Sequence, residues 1–422
     1  MRVFIALVFL ISIAVLPCTL LAAPATTIDE LVAPYDSSKC ADCHDDIHKD
    51  WKDSWHSKSI VDPRVLKTWR TFILSGLGKS KGSKKDLKDV CLSCHAPASK
   101  DASEELVVKI ADMIVTAVDD KDAAKRAAAT KELSKLDINC LVCHNMKASP
   151  DGNAKAKTIY GAKKGVDKAI HKGELGFDTE ITEYYKTSEF CAQCHHGCPP
   201  GMGSDVCPTL FSSYKEHYQS HGGKETCQGC HMKGKDYPSH KFPGIYDKEY
   251  VKEYIDINLS AKPTEYVYHL ENRIVPAVVT NVELTSHSGH GMPHGCIYFP
   301  KTALEVTVKD QDGKVVFTKI AKEYEVNDFY FKDNKKGEVV TDPKTSVKTQ
   351  LPKEGYLGLN NYDITAMDHV YSALEPGQAD SFTFVVPLTA GTKSVTVEAV
   401  YKYIYDKDTA AEISKTSKKI DF

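Results

Sequence analysis

Five short segments carry residue types whose spacing can do chemistry. They read CADCH at Cys40–His44, CLSCH at Cys91–His95, CLVCH at Cys140–His144, CAQCH at Cys191–His195 and CQGCH at Cys227–His231. Each places two thiols on one turn of backbone and an imidazole directly after the second. C-x-x-C-H is the attachment sequence for c-type haem. The pairs Cys40/Cys43, Cys91/Cys94, Cys140/Cys143, Cys191/Cys194 and Cys227/Cys230 would form thioethers to the haem vinyl groups. His44, His95, His144, His195 and His231 would each supply one axial iron ligand. A single copy is compatible with a redox C-x-x-C beside a chance histidine, or with half a zinc site. Five copies point to five covalently bound haems.

The sixth ligand decides what such an iron does. A second histidine closes the site for electron transfer, methionine raises the potential, and an open position admits a ligand. Of 17 histidines, five belong to the motifs and twelve remain, enough for every haem to have two. His56 ends Trp51-Lys52-Asp53-Ser54-Trp55-His56, leaving the first motif. His171 precedes Lys172-Gly173 in a polar linker, and His240 precedes Lys241-Phe242-Pro243-Gly244. His287 and His290 lie in the Gly-rich run Ser286–His294. Met202 and Met292 are alternatives.

Ten of the 14 cysteines belong to the motifs. Cys18 lies in the leader described below. Cys198 and Cys207 bracket a short Gly/Pro loop and are expected to be joined in an oxidising compartment. Cys296 is then an odd thiol, buried or bridging to a second chain.

The elements that must hold these groups follow from the rest of the sequence. The chain has 422 residues and a formal net charge of −3, which fits two domains and no nucleic-acid partner. Residues 1–25 read as an export signal: Arg2, an apolar run from Val3 to Leu16, and the cleavage pattern Ala23-Pro24-Ala25. Cys18 offers a lipoprotein alternative, which Pro17 fits poorly. No other segment is apolar enough to span a bilayer, so the mature chain is expected to have no transmembrane span.

Residues 26–257 hold all five motifs, at the ends of short helical stretches, and all three tryptophans. A helix pair is predicted between Ser103 and Leu136, with Leu106, Ile110, Met113, Ile114, Ala117 and Val118 on one packing face. Residues 258–422 change character. Glu265–Tyr268, Ala277–Leu284, Ala303–Lys309, Lys314–Ala321, Ser381–Leu388 and Ser394–Tyr405 cluster or alternate β-branched and apolar residues. Asp310–Gly313 and Thr389–Thr392 give turn signals between them. The expectation is α + β: a mainly helical and loop pentahaem domain followed by a C-terminal β-sandwich.

Several of these segments together resemble a known family. The W-x-x-S-x-H-like run, CLSCHAP, SEFCAQCH before a Tyr-rich helix, TCQGCHM and SHKFPG are similar to the hydroxylamine-oxidoreductase and tetrahaem-cytochrome-c superfamily. GHGMPHG followed by LEVTVKDQDGKVVF resembles the sandwich loop of multihaem cytochromes related to extracellular cytochrome filaments. The resemblance implies distal ligands at His56, His171, His240 and His290. The fifth distal position stays open among His221, His217, His48 and His294, with His221 put first, or a ligand from a neighbouring subunit.

The resemblance also implies an exported electron carrier, periplasmic or extracellular, whose partners are other cytochromes, a redox enzyme or further copies of itself in an oligomer or filament. The alternative it implies is a reductase or oxidoreductase of small nitrogen or sulfur compounds with one open-coordinate haem. The C-x-x-C-K catalytic motif of pentahaem nitrite reductases is absent.

Overall fold

The computed structural model describes residues 23–75, 84, 87–161, 168–196, 210–293, 301–331, 339–341, 348–350, 355–356, 368–404 and 410–422. Cys18, Met202, His294, Cys296 and the expected Cys198–Cys207 bridge fall outside them. No helix among the described residues is long and apolar enough to cross a membrane.

The architecture is α + β. The first half is built of short pieces. Helix α1 (Ile28–Val32) opens on a complete capping box, with Thr27 and Glu30 each satisfying the other's backbone N–H. Ala25, the last residue of the expected leader, is itself tied into the fold. Its N–H donates to the Asp101 carbonyl at 2.8 Å, and its carbonyl accepts from Ser103 N–H at 2.9 Å.

Helices α2 (Asp45–Asp53) and α3 (Pro63–Ser75) follow the first motif. The predicted pair is present as α4 (Glu104–Asp119) and α5 (Ala123–Leu133), each capped by a side chain, Ser103 and Asp122. Leu106, Ile110 and Ile114 are buried to 2% exposure or less, and Met113, Ala117 and Val118 pack against them. Ile60, Leu92 and Leu133 complete this side-chain core. Full burial of each such aliphatic side chain stabilises by about 1.5–3 kcal/mol.

The rest of the first half has little regular structure. A short parallel pair, β1 (Thr158–Gly161) and β2 (Asp178–Ile181), closes around the segment carrying His171. Residues 88–92, 142–146 and 171–175 take single wide turns. Such turns re-aim side chains and recur at functional sites; here they carry Cys91, Cys143, His144 and His171.

The second half is built mainly of two antiparallel sheets, beside which β7 (Val339–Thr341) pairs with β8 (Lys348–Gln350) and β9 (Gly355–Tyr356) with the end of β6 (Val315–Phe331). One runs β10 (Asp368–Ser372), β6, β5 (Lys301–Asp310), β12 (Ser394–Ile404), β13 (Ala410–Asp421). The other runs β11 (Ala379–Pro387), β4 (Arg273–Ser286), β3 (Ile255–Tyr268). Val278, Val282 and Leu284 of β4 face Leu304, Val306 and Val308 of β5 and Val395, Val397 and Ala399 of β12. Alternation along each strand puts these on the inner faces. The buried Tyr401 hydroxyl is satisfied by Thr302 Oγ1 at 2.7 Å.

Asp310–Gly313 forms the expected hairpin, with Gly313 at φ +79. Thr389–Thr392 does something else. It carries the chain from β11 in one sheet to β12 in the other, so it is an arch over the core edge.

Candidate haem-binding sites

The motif histidines are oriented by backbone carbonyls. Nδ1 of His95 meets the Ser59 carbonyl at 2.7 Å, His144 that of Tyr160 at 2.8 Å, and His231 that of Pro243 at 2.7 Å. A carbonyl can only accept, so Nδ1 donates and Nε2 is left with its lone pair free for a metal. His240 and His290 are held the same way by the Pro238 and Gly291 carbonyls, at 2.7 and 3.0 Å. Burial pushes His95, His144, His231 and His240 below the ordinary imidazole range. Burial first, then neighbouring imidazoles, brings His56 to about 3 and His195 to about 4. Burial brings His290 to about 4. Neutral imidazole is the form that ligates a metal.

Four motif histidines face a second histidine across a constant gap. Ring centroids are 6.3 Å apart for His44 and His171, 6.2 Å for His195 and His56, 6.4 Å for His144 and His240, and 6.2 Å for His231 and His290. An imidazole nitrogen bonds a first-row metal at about 2 Å with its ring centre about 1 Å beyond, so two rings on one iron stand about 6 Å apart. Direct ring stacking would bring them closer, and a tetrahedral zinc site would gather more than two ligands. The donor pairs fit a haem iron between them. Ring planes are near parallel for three pairs, at 21°, 24° and 7°, and near perpendicular for His195 and His56, at 74°.

The ten motif cysteines are alike in sequence but not in setting. Cys91 is buried and eight others are half-buried, whereas Cys43 is exposed. The reason is local. The single turn Ser38–Asp42 that carries Cys40 ends at Cys43, whose N–H donates to the Cys40 carbonyl at 3.4 Å. Helix α2 then starts directly after His44, which is exposed as well. A thioether at Cys43 would therefore lie at the surface of the first site, whereas Cys91 would place one inside the side-chain core of the second.

His95 differs from the other motif histidines. Among the described residues its ring contact is with Trp69, edge to face at 5.0 Å, too close for an iron between. The competitors for its distal position lie elsewhere. His221 is exposed beside Ser220, His48 packs on Trp51 at 5.2 Å, and His217 lies 3.7 Å from Glu375. Met292 pairs with Leu374 at the sandwich edge. His287 binds Asp256 at 2.7 Å.

The motifs also touch one another. Cys40 lies beside Cys140, Cys94 beside Cys194 and Cys191 beside Cys227, each pair near enough for one thiol to perturb the ionisation of the other. Gln193 and Gln228, the variable residues of the fourth and fifth motifs, donate to the Lys147, Tyr185 and Thr187 carbonyls. Phe242 stands edge-on to both His56 (4.5 Å) and His240 (5.7 Å). It joins the distal sides of the third and fourth sites. The Gly-containing loop of the sandwich reaches the fifth site, where Gly291 N–H donates to Ser213 Oγ at 2.8 Å.

Reading the sequence missed Phe242, Ser59 and Asp137. Asp137 is 7% exposed, and burial pushes its carboxyl up to about 7 against the pull of the Ile60 N–H and the Ser59 hydroxyl. An aspartate between Leu136 and Ile138, three residues before a motif, was the available signal.

A family model described as outer membrane cytochrome MtrC/MtrF-like, domains II/IV, matches residues 76–242. Among solved structures, a penta-heme cytochrome c552 from Thermochromatium tepidum superposes with a TM-score of 0.57 at 19% identity, covering 91% of this chain and 98% of that one. At that identity the likeness speaks for the fold. A protein designated ApaA from Bordetella pertussis covers 39% of this chain and 92% of its own at 11% identity; its TM-score of 0.16 carries no argument. No curated protein sequence matches. With its C-x-x-C-H segments, the chain is a multihaem c-type cytochrome.

Proposed function

We propose that this chain is an exported pentahaem electron carrier whose electrons pass along a branched line of haems. The observation that carries the proposal is the set of four facing histidine pairs, 6.2–6.4 Å apart, on motifs that adjoin one another. Bound haem would supply a one-electron iron couple at each site. The protein's part is to hold four of the irons each between two facing imidazoles and to set the sites side by side. The proximity of Cys40 to Cys140, Cys94 to Cys194 and Cys191 to Cys227 relates the first site to the third, the second to the fourth and the fourth to the fifth. Phe242 links the third to the fourth. The line is therefore first, third, fourth, fifth, with the second branching at the fourth. Redox partners would be other cytochromes, a redox enzyme or further copies of the chain. Mass spectrometry of the mature protein should find five haem additions, and stepwise reduction should be reversible. Fewer than five haems would overturn the count.

A second reading has one observation in its favour. Among the described residues His95 faces no second histidine, so the second haem is the candidate for an open position that binds a small nitrogen or sulfur compound. A high-spin fraction that takes up cyanide or nitrite would favour it. A spectrum unmoved by both favours the carrier alone.

A further inference from the structure

The second site is joined to a buried acid through one peptide group. His95 Nδ1 donates to the Ser59 carbonyl at 2.7 Å. The N–H of that same peptide unit, on Ile60, donates to Asp137 Oδ1 at 2.8 Å. The Ser59 hydroxyl runs alongside, 2.7 Å from the His95 carbonyl oxygen and 3.3 Å from Asp137 Oδ1. Asp137 also lines an open cavity of about 650 Å³, which gives water a route to it. Besides Asp137, the charged or titratable groups facing that cavity are Tyr35, Asp36, His48, Lys52, Lys58 and Lys135. Lys135 is engaged by Asp29 and Glu132, and Asp62, the other acid near His95, is held by Arg64 at 2.5 Å.

We propose that Asp137 is the proton acceptor coupled to reduction of the haem held by Cys91, Cys94 and His95, acting on it as a positioning residue through the Ser59–Ile60 peptide. The proposal rests on the electron-carrier reading. An ionised carboxylate polarises the peptide unit, strengthens the carbonyl's grip on His95 N–H and favours ferric iron. Reduction of a haem bound there would remove one positive charge at the site that His95 holds. One proton, released from a hydronium ion in bulk water, would then form the Asp137 O–H bond, balancing the charge of the added electron. An amino acid whose carboxyl titrates near 7 is in the right range to respond.

The test is a spectroelectrochemical titration of the fully loaded chain between about pH 6 and pH 8, with redox-difference infrared spectra at each step. One of the five one-electron steps should move to lower potential as pH rises, by up to about 59 mV per tenfold fall in proton concentration. In Asp137→Asn, which keeps the acceptor for Ile60, that step should shift upward and lose most of its pH dependence. Unmodified protein should gain a carboxylic C=O band on reduction, absent in Asp137→Asn. Ser59→Ala should weaken the pH dependence and keep the band. Identical pH profiles in unmodified protein and Asp137→Asn, or no carboxylic band on reduction, would overturn the proposal. If Asp137→Asn fails to load haem, the infrared result on unmodified protein decides. Failure of the electron-carrier reading looks different, since reversible stepwise reduction would itself be missing.

Discussion

The two halves of the molecule are ordered by different means. In the sandwich, inner-face Val, Leu and Tyr residues of β4, β5 and β12 are almost fully excluded from solvent by one another. In the motif-bearing half, among the described residues, such a core runs from α1 through α3, α4 and α5 and takes in Cys91, Leu92, Leu141 and Val142 of the second and third motifs. Around the motifs, regular pieces are three to nine residues long, most motif cysteines remain half-exposed and Cys43 lies at the surface. Isolated helices that short are marginal in water. The difference teaches that one half is specified by side-chain packing, whereas the other is a set of ligand-bearing turns whose order depends on what they ligate.

The largest effect follows from withholding haem. Hydrogen exchange of haem-free protein should keep slow amides in β4, β5, β12 and α4, and lose them across residues 40–58 and 171–240. Equal protection in both halves would break the contrast. Next comes Leu304→Ala, at 0% exposure in the sandwich core. It should cost about 2–5 kcal/mol in denaturant midpoint and leave the haem spectrum unchanged. His290→Ala crosses the boundary between the halves. It should turn one low-spin haem high-spin, loosen the docking of the sandwich and leave the other haems as they were, whereas His221→Ala should do none of these.

The smallest effect is on pH. The Asp137 carboxyl is raised from the ordinary 3.8 to about 7. Its folded form therefore holds a proton that the unfolded chain releases earlier. Its contribution favours folding below about pH 4, is lost as pH rises toward 7, and is constant above. Asp137→Asn should flatten that slope in thermal unfolding between about pH 4 and 7. An unaltered slope would show that burial does not raise this group.

What the sequence made legible was local. The motifs, the amphipathic run from Leu106 to Val118, the Asp310–Gly313 hairpin and most strands are patterns within a few residues of one another. The pairing of His44 with His171 or His231 with His290 is not, because partners so far apart in sequence carry no mutual spacing signal. The resemblance implied distal ligands at His56, His171, His240 and His290 without saying which motif each would face. The exposure of Cys43 against the burial of Cys91 was equally out of reach, since the two motifs read alike and differ only in what the fold packs around them. The partition of strands between sheets escaped for the same reason, since Thr389–Thr392 has the composition of any turn and acts as an arch. β1 and β2 are four residues each, too short for alternation to register.

Electron paramagnetic resonance of the fully loaded, oxidised protein tests the central claim most directly, because the low-spin signal of a haem with two imidazoles depends on the angle between their planes. Three near-parallel pairs and one near-perpendicular pair predict three rhombic low-spin signals and one highly anisotropic signal. The fifth signal, from the haem at His95, should belong to neither class, and the anisotropic signal should vanish in His56→Ala. Five low-spin signals of one class, or an anisotropic signal that survives His56→Ala, would contradict the account.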